Sequence, residues 1–340
     1  MAPNHRRSGV ESRAAGVAKA PADEPSPALS PEARAMDGAL IVDKPKGITS
    51  HDAVATARRL LREKRIGHAG TLDPLATGVL VLLCGRATRL SRFIMASDKT
   101  YEARIRFGVT TDTYDITGTV TSESSPAPPP MADVERALSS LRGSYLQEPP
   151  AFSAKKVQGQ RAYDLARRQE AVALQAVPVT VSRLDVTAFQ GPRLTVVLTC
   201  SAGFYVRSFA HALGQLAGTG ACLEELRRTR SGDFAVDDAV SLADDASAGD
   251  LPKHLIPMDH LLRSLPARVV TAEGRLRVAH GRELTAAQVV GPAGSGPHSR
   301  GSTEEPGNTG DWVRLMDSEG RLIALGRTTG ATLHPSVVLI

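Results

Sequence analysis

The chain has 340 residues, 41% of them hydrophobic and 23% charged, with a formal net charge of +5. That length suits two ordinary domains, and so apolar a composition excludes a wholly disordered chain. The positive balance suits a polyanionic partner such as nucleic acid, while the lack of any run of about 18 apolar residues excludes a helical membrane span.

Residues 1–35 are rich in Ala, Pro, Ser and Arg and almost free of large apolar side chains. Such a stretch cannot bury a core, and a disordered, passive tail is expected, with contact to RNA through Arg6, Arg7 and Arg13 as the alternative. It carries no apolar stretch of the secretory kind, so a cytoplasmic location is expected. Order should begin near Gly38. Ala39-Leu40-Ile41-Val42 predicts a buried strand, ended by the turn Asp43-Lys44-Pro45-Lys46-Gly47. Thr49-Ser50-His51-Asp52 matches a capping box, and the spacing predicts a helix to about Ile66, stopped by Gly67 at C′. Val54, Ala57 and Leu61 share one face of it. Arg58, Arg59, Arg62, Lys64 and Arg65 make the remainder basic, either a solvated face or a phosphate-contacting one.

Farther on, Tyr101, Ala103, Ile105, Phe107 and Val109 alternate with Glu102, Arg104 and Arg106, which predicts a half-buried strand. A loop is expected over 124–130, a helix over Met131–Leu141, a strand through Leu194, Val196, Leu198 and Cys200, and a helix from Phe209 to Leu216 ended by Gly218. Strands and helices interleave without a regular βαβ rhythm, so the fold class expected is α/β (α+β) around a mixed sheet. After Pro266 come short apolar segments, Val269-Val270, Leu276-Arg277-Val278, Val313-Arg314-Leu315, Leu322 to Leu325 and Val337 to Leu339, which suggest a small β-barrel. A Gly/Ser/Pro-rich insertion at 291–310 reads as a loop between two of its strands. The cysteines, Cys84, Cys200 and Cys222, are odd in number and widely spaced, which argues against a disulfide framework or a zinc site and for buried thiols.

The segment Gly67-His68-Ala69-Gly70-Thr71-Leu72-Asp73-Pro74-Leu75-Ala76-Thr77-Gly78 carries the chemical signal. Proline pushes the residue before it out of the α region, and the glycines at 70 and 78 let the loop bend sharply and a ligand approach. A carboxylate held on such a loop beside a basic helix is poised for work, although an Asp-Pro pair between glycines also serves as a plain turn. The same segment resembles the active-site motif of the TruB family of pseudouridine synthases, G-H-x-G-x-L-D-P-x-A-x-G, at every fixed position. Leu40 to Pro45 with Gly47 and Ser50 resembles that family's opening motif. Asp98 to Tyr101 with Thr111, Asp112, Thr113 and Asp115 resembles its second. Pro149 to Ala154 with Lys156, Gly159 and Tyr163 resembles its third. Gly203 to Arg207 and Leu226-Arg227-Arg228 complete the set. Phe152 and Phe204 depart from the commoner residues at their positions.

The resemblance covers roughly 38–265 and implies a mixed-sheet catalytic domain over 36–265, followed at 266–340 by a PUA-like RNA-binding barrel. It implies breakage of a uridine's C1′–N1 bond, rotation of the uracil and rejoining through C5, at the T-loop uridine at position 55 of tRNA, with no cofactor or metal. By the same resemblance Asp73 is the nucleophile, Arg207 the arginine paired with it and Asp115 the second acid on that arginine. Tyr101 is where the flipped base stacks, Tyr205 a candidate for proton transfer, and Leu226 part of the apolar wall. His68 resembles the residue that fills the space left by the extracted base. Lys44, as part of the opening motif, and the basic set Arg58, Arg59, Arg62, Lys64 and Arg65 are assigned to substrate binding, mostly through backbone and shape. A monomer needing neither guide RNA nor a protein partner is expected. The alternative is a tRNA-folding chaperone with modification secondary, against which the intact Asp73, Tyr101, Tyr205 and Arg207 speak.

Overall fold

A computed structural model describes residues 36–123, 128–153, 156–157, 160–161, 174–242, 250–290 and 311–340. The N-terminal extension, the insertion at 291–310 and the motif residues Ala154, Gly159 and Tyr163 lie outside the described residues.

The chain enters through β1, Gly38–Lys44, whose residues are nearly all buried. It pairs along its whole length with β3, Thr77–Cys84, in antiparallel register from Gly38↔Cys84 to Lys44↔Gly78. Both strands are continuous apolar runs because both of their faces are covered. Leu40, Val42, Leu80 and Leu82 point into one core, whereas Ala39, Ile41, Val79, Val81 and Leu83 point into another.

Between them lies α1, Ser50–Leu61. Thr49 caps it, accepting from Asp52 N, while the Asp52 carboxylate accepts from Thr49 N at 2.8 Å, the expected reciprocal box. Val54, Ala57 and Leu61 are its buried stripe. The helix ends sooner than its pattern suggests: Arg62 takes a left-handed conformation (φ 52) and terminates it. Ile66–His68 is then a short strand, β2, antiparallel to β3. Tertiary pairing overrides local helix propensity here. Gly67 lies within that strand rather than at a helix end.

The sheet continues through β4, Lys99–Phe107, whose buried residues alternate with exposed or half-exposed ones as expected. Next along the chain come α2, Met131–Ser140, and β5, Gly143–Gln147. The long hairpin of β6, Val177–Gln190, and β7, Arg193–Cys200, precedes α3, Val206–Leu216. Then follow β8, Ala221–Ser231, and the short β9, Ile256–Pro257. The spatial order is β9-β1-β3-β8-β4-β7-β6-β5, with β2 added beside β3. All of these neighbours are antiparallel except β8 against β3, so the sheet is mixed. Helices α1, α2 and α3 cover its first face through Val54, Leu138, Phe209 and Leu213.

The C-terminal residues form a second, five-stranded sheet, with Val289–Val290 and Thr332–Val338 at its edges. One expected strand there is a helix: Leu276-Arg277-Val278 falls in Ala272–Ala279, capped by Thr271, with Val278 buried and Leu276 exposed. Leu322, Leu325, Val337 and Leu339 share the second core with β1 and β3, so this sheet closes the far face of the large one. Arg86 bolts the junction, donating to the Asp37 carboxylate at 2.6 Å and to Leu339 O at 2.7 Å. The three cysteines are free and buried. Among the described residues no helix is long and apolar enough to cross a membrane.

Candidate active site

The loop between β2 and β3 carries Asp73, and several anchors fix its path. Gly70 and Gly78 have φ +102 and +97, conformations that side chains resist. The buried Ser50 hydroxyl, at the start of α1, accepts from Leu72 N at 2.9 Å and donates to Leu72 O at 3.1 Å. Gly47 N donates to Pro74 O at 2.8 Å, and Ala76 N to Asp73 O at 3.0 Å. The nucleophile candidate therefore sits on a short loop tied down on either side of it.

Arg207 reaches that carboxylate from the first turn of α3. Its Nε donates to Asp73 Oδ2 at 2.8 Å and its Nη2 lies 3.3 Å from Oδ1, a fork-to-fork pairing. Nη1 donates to Thr113 O and Nη2 also to Phe152 O, each at 3.0 Å. The departure at 152 thus leaves the contact intact, because only the backbone oxygen is used. Asp115 Oδ2 stands 3.8 Å from the same Nε. Its other oxygen accepts from the hydroxyls of Thr113 and Thr117 and from Thr117 N. The arginine and Asp115 side chains are each 7% exposed, but that of Asp73 is 38% exposed. One acid is thus locked away as a structural counter-ion while the other remains open to a ligand.

Two tyrosines complete the cluster. Tyr205 caps α3, where Gln147 grips its backbone, accepting from Tyr205 N at 2.8 Å and donating to Tyr205 O at 3.1 Å. Tyr101 lies on β4, 8% exposed. Burial pushes both phenol pKa values up, and each phenol feels the charge of Asp73. Both are neutral hydroxyls at ordinary pH. An open carboxylate clamped by a buried arginine, with two aromatic hydroxyls beside it, can attack an electrophilic carbon and orient a planar base.

Comparisons with known proteins identify the family. Residues 58–206 match a family model described as TruB family pseudouridylate synthase (N terminal domain), and residues 207–263 match the tRNA pseudouridylate synthase B C-terminal domain. The chain is 42% identical over 308 residues to a tRNA pseudouridine synthase B of Solibacter usitatus, spanning 89% of this chain and 100% of that protein. It is 37% identical over 302 residues to the one of Pseudomonas aeruginosa, spanning 87% and 93%. The chain belongs to the TruB family.

Among solved structures the fold resembles a chain of an archaeal box H/ACA sRNP Nop10-Cbf5 complex, with a TM-score of 0.66, 24% identity, and 90% of this chain and 87% of that one covered. A chain of an H/ACA RNP bound to a substrate RNA containing 2'-deoxyuridine gives 0.65 at 23% identity, covering 90% and 86%. At such identities these likenesses concern the fold.

The remaining TruB-motif residues fall into three places. Leu226 is buried on β8, 8% exposed. Lys44 is fully enclosed, its Nζ donating to Pro45 O at 2.9 Å and Ile48 O at 2.8 Å. Burial lowers its pKa to about 8, with the charge of Asp73 opposing the shift. It shapes the turn that meets Pro74 rather than presenting an ammonium at the surface. His68 ends β2 with its ring edge-on to His51, centroids 5.5 Å apart, and its buried Nδ1 has no hydrogen-bond partner among the described residues. Burial, reinforced by His51 and Arg228, lowers its pKa below the usual histidine value, so the ring is neutral at pH 7. Arg58, Arg59, Arg62, Lys64 and Arg65 are exposed on and after α1. Arg58 donates to Ile66 O at 2.6 Å and Arg65 to Thr88 Oγ1 at 3.2 Å, both from surface positions.

Ser50, Gln147 and Arg228 carry no site role that the sequence alone assigns. Ser50 sits inside the capping-box segment and Arg228 inside the Leu226-Arg227-Arg228 segment. Their partners, however, are distant backbone atoms that no local pattern announces.

Proposed function

We propose that this chain isomerises the T-loop uridine at position 55 of tRNA to pseudouridine, with Asp73 as nucleophile, acting without a guide RNA or protein partner in the cytoplasm. The observation that carries the reading is the solvent-open Asp73 carboxylate held at two points by the buried Arg207. The names of the curated relatives, tRNA pseudouridine synthase B, support the substrate class.

In this reading the uridine is drawn out of its loop and its uracil rests by Tyr101. Asp73 engages the nucleoside as the C1′–N1 bond breaks. The freed uracil turns, C5 bonds to C1′, C5 loses its hydrogen as a proton, and N1 ends with a proton. Substrate and product are isomers, so nothing is oxidised and no group is donated. Tyr205, beside the carboxylate, is placed to relay a proton. His68, neutral and next to the nucleophile loop, fills the space the base vacates. Leu226 supplies apolar wall. The basic residues after α1 and the C-terminal sheet hold the RNA backbone. Residues 36–265 are then the catalytic domain and 266–340 the RNA-binding one. A binding-only chaperone has no use for an open carboxylate pinned to a buried arginine.

The test is tritium release from tRNA carrying [5-³H]uridine, with wild type beside Asp73→Asn, followed by mapping of the modified position. Release by wild type alone, at the T-loop uridine, is expected. Release by both proteins would remove Asp73 from the chemistry, and release from another position would change the substrate.

A further inference from the structure

Arg228 is 1% exposed, yet among the described residues it forms no ion pair with a carboxylate. It lies on β8, in register with Tyr101 of β4 on one side and Gly78 of β3 on the other. Its Nε donates to Val79 O at 2.7 Å and its Nη2 to Gly70 O at 3.0 Å, so one guanidinium holds both ends of the Asp73 loop. The charge of the same guanidinium reaches the Tyr101 phenol and opposes the rise that burial gives its pKa. The backbone passes close by: a Cβ on Gly78 would lie 2.2 Å from Arg228 O, while one on Gly70 would make only ordinary contact with Nη1 at 3.5 Å.

This is an expensive place for a cation. Lys44 and Lys99 are buried nearby, and the charge of Arg228 adds to the burial that depresses both ammonium groups. A buried charge facing other cations contributes little to stability that an apolar side chain of similar size would not. What an arginine supplies and an apolar group or lysine does not is a rigid planar fork with donors in fixed directions.

We propose that Arg228 is a positioning residue for pseudouridine formation, holding both ends of the Asp73 loop in one geometry beside Tyr101. It rests on the assignment of Asp73 as the nucleophile. The base stacked on Tyr101 and the carboxylate on the loop must meet within a fraction of an ångström, and Arg228, in strand register with Tyr101, is the side chain bonded to both ends of the loop. Displacement by about 1 Å can cost on the order of 100-fold in rate.

The test compares full-length wild type, Arg228→Lys and Arg228→Gln under single-turnover conditions on [5-³H]uridine tRNA, with RNA affinity measured by filter binding. Arg228→Lys is expected to slow release by about 100-fold or more while the Kd for RNA stays within about threefold. A wild-type rate, or an affinity loss matching the rate loss, would overturn the proposal. If Arg228→Lys does not fold, Arg228→Gln decides: its rate must fall by at least about tenfold at unchanged RNA affinity, and a wild-type rate overturns the positioning role. Asp73→Asn, run alongside, separates the two readings. Release by that variant overturns the site itself, whereas an inactive Asp73→Asn beside a fully active Arg228→Lys overturns only the role of Arg228.

Discussion

Arg207 and Asp73, 134 residues apart in the chain, meet through a 2.8 Å bond from Nε to Oδ2, and the arginine is the buried partner. The first turn of α3 therefore sets the position of a carboxylate on the loop between β2 and β3. Arg207→Met is expected to lower tritium release by at least about 100-fold, because the carboxylate loses its orienting fork. The same change strands Asp115 without its cation and should cost about 3–5 kcal/mol of stability, visible in thermal or denaturant unfolding. Wild-type release by Arg207→Met would detach the pair from the reaction.

Ser50 offers a cleaner separation of loop geometry from charge. Its hydroxyl alone serves both the N–H and the carbonyl of Leu72. Ser50→Ala leaves those two backbone groups buried and unpaired, a loss of about 1–3 kcal/mol. Because Leu72 precedes Asp73, the variant should lose turnover under saturating RNA more than it loses apparent affinity. A variant with lowered stability and an unchanged rate would show that the loop keeps its course without the clamp.

Legibility followed the range of the interaction concerned. The β1 run, the Tyr101–Phe107 alternation and the capping box at Thr49 declare themselves locally, and each forms as expected. The end of α1 did not, because Arg62 adopts the left-handed turn that glycine usually supplies, and Ile66–His68 is extended only by pairing with β3. Leu276–Val278 has the apolar content of a strand but is capped into a helix by Thr271. The Asp73 loop carried a motif and was visible. Arg228 stood in a motif segment, but its hold on that loop was not legible, since its acceptors are backbone oxygens 149 and 158 positions away.

The basic residues after α1 make a prediction in salt. Arg62 and Lys64 are exposed at the helix end and in the turn beyond it. If they meet RNA phosphates, Arg62→Gln with Lys64→Gln should raise the tRNA Kd. The slope of log affinity against log salt should flatten by roughly one for each phosphate no longer neutralised. Filter binding across a salt series measures both. An unchanged slope would leave these side chains as a solvated face.

Lys99 tests the cost of the buried cations away from Asp73. Its ammonium donates to the carbonyls of Met95 and Ser97. Burial first, and then the neighbouring Arg228, lowers its pKa from 10.5 to about 8. Between those two values the unfolded chain holds a proton that the folded chain has released, so unfolding takes up a proton and stability rises with pH in that window. Below about pH 8 both states are protonated and the penalty is constant; above about 10.5 it is fully relieved. Wild type should therefore gain on Lys99→Met by up to about 3 kcal/mol as pH climbs through the window, read as the difference between two denaturant midpoints converted to free energy. Taking the difference removes the titration of the tyrosines and cysteines common to both proteins. A flat difference across the window would mean that Lys99 stays charged in the fold, and that its two carbonyl partners compensate for burial and for Arg228 together.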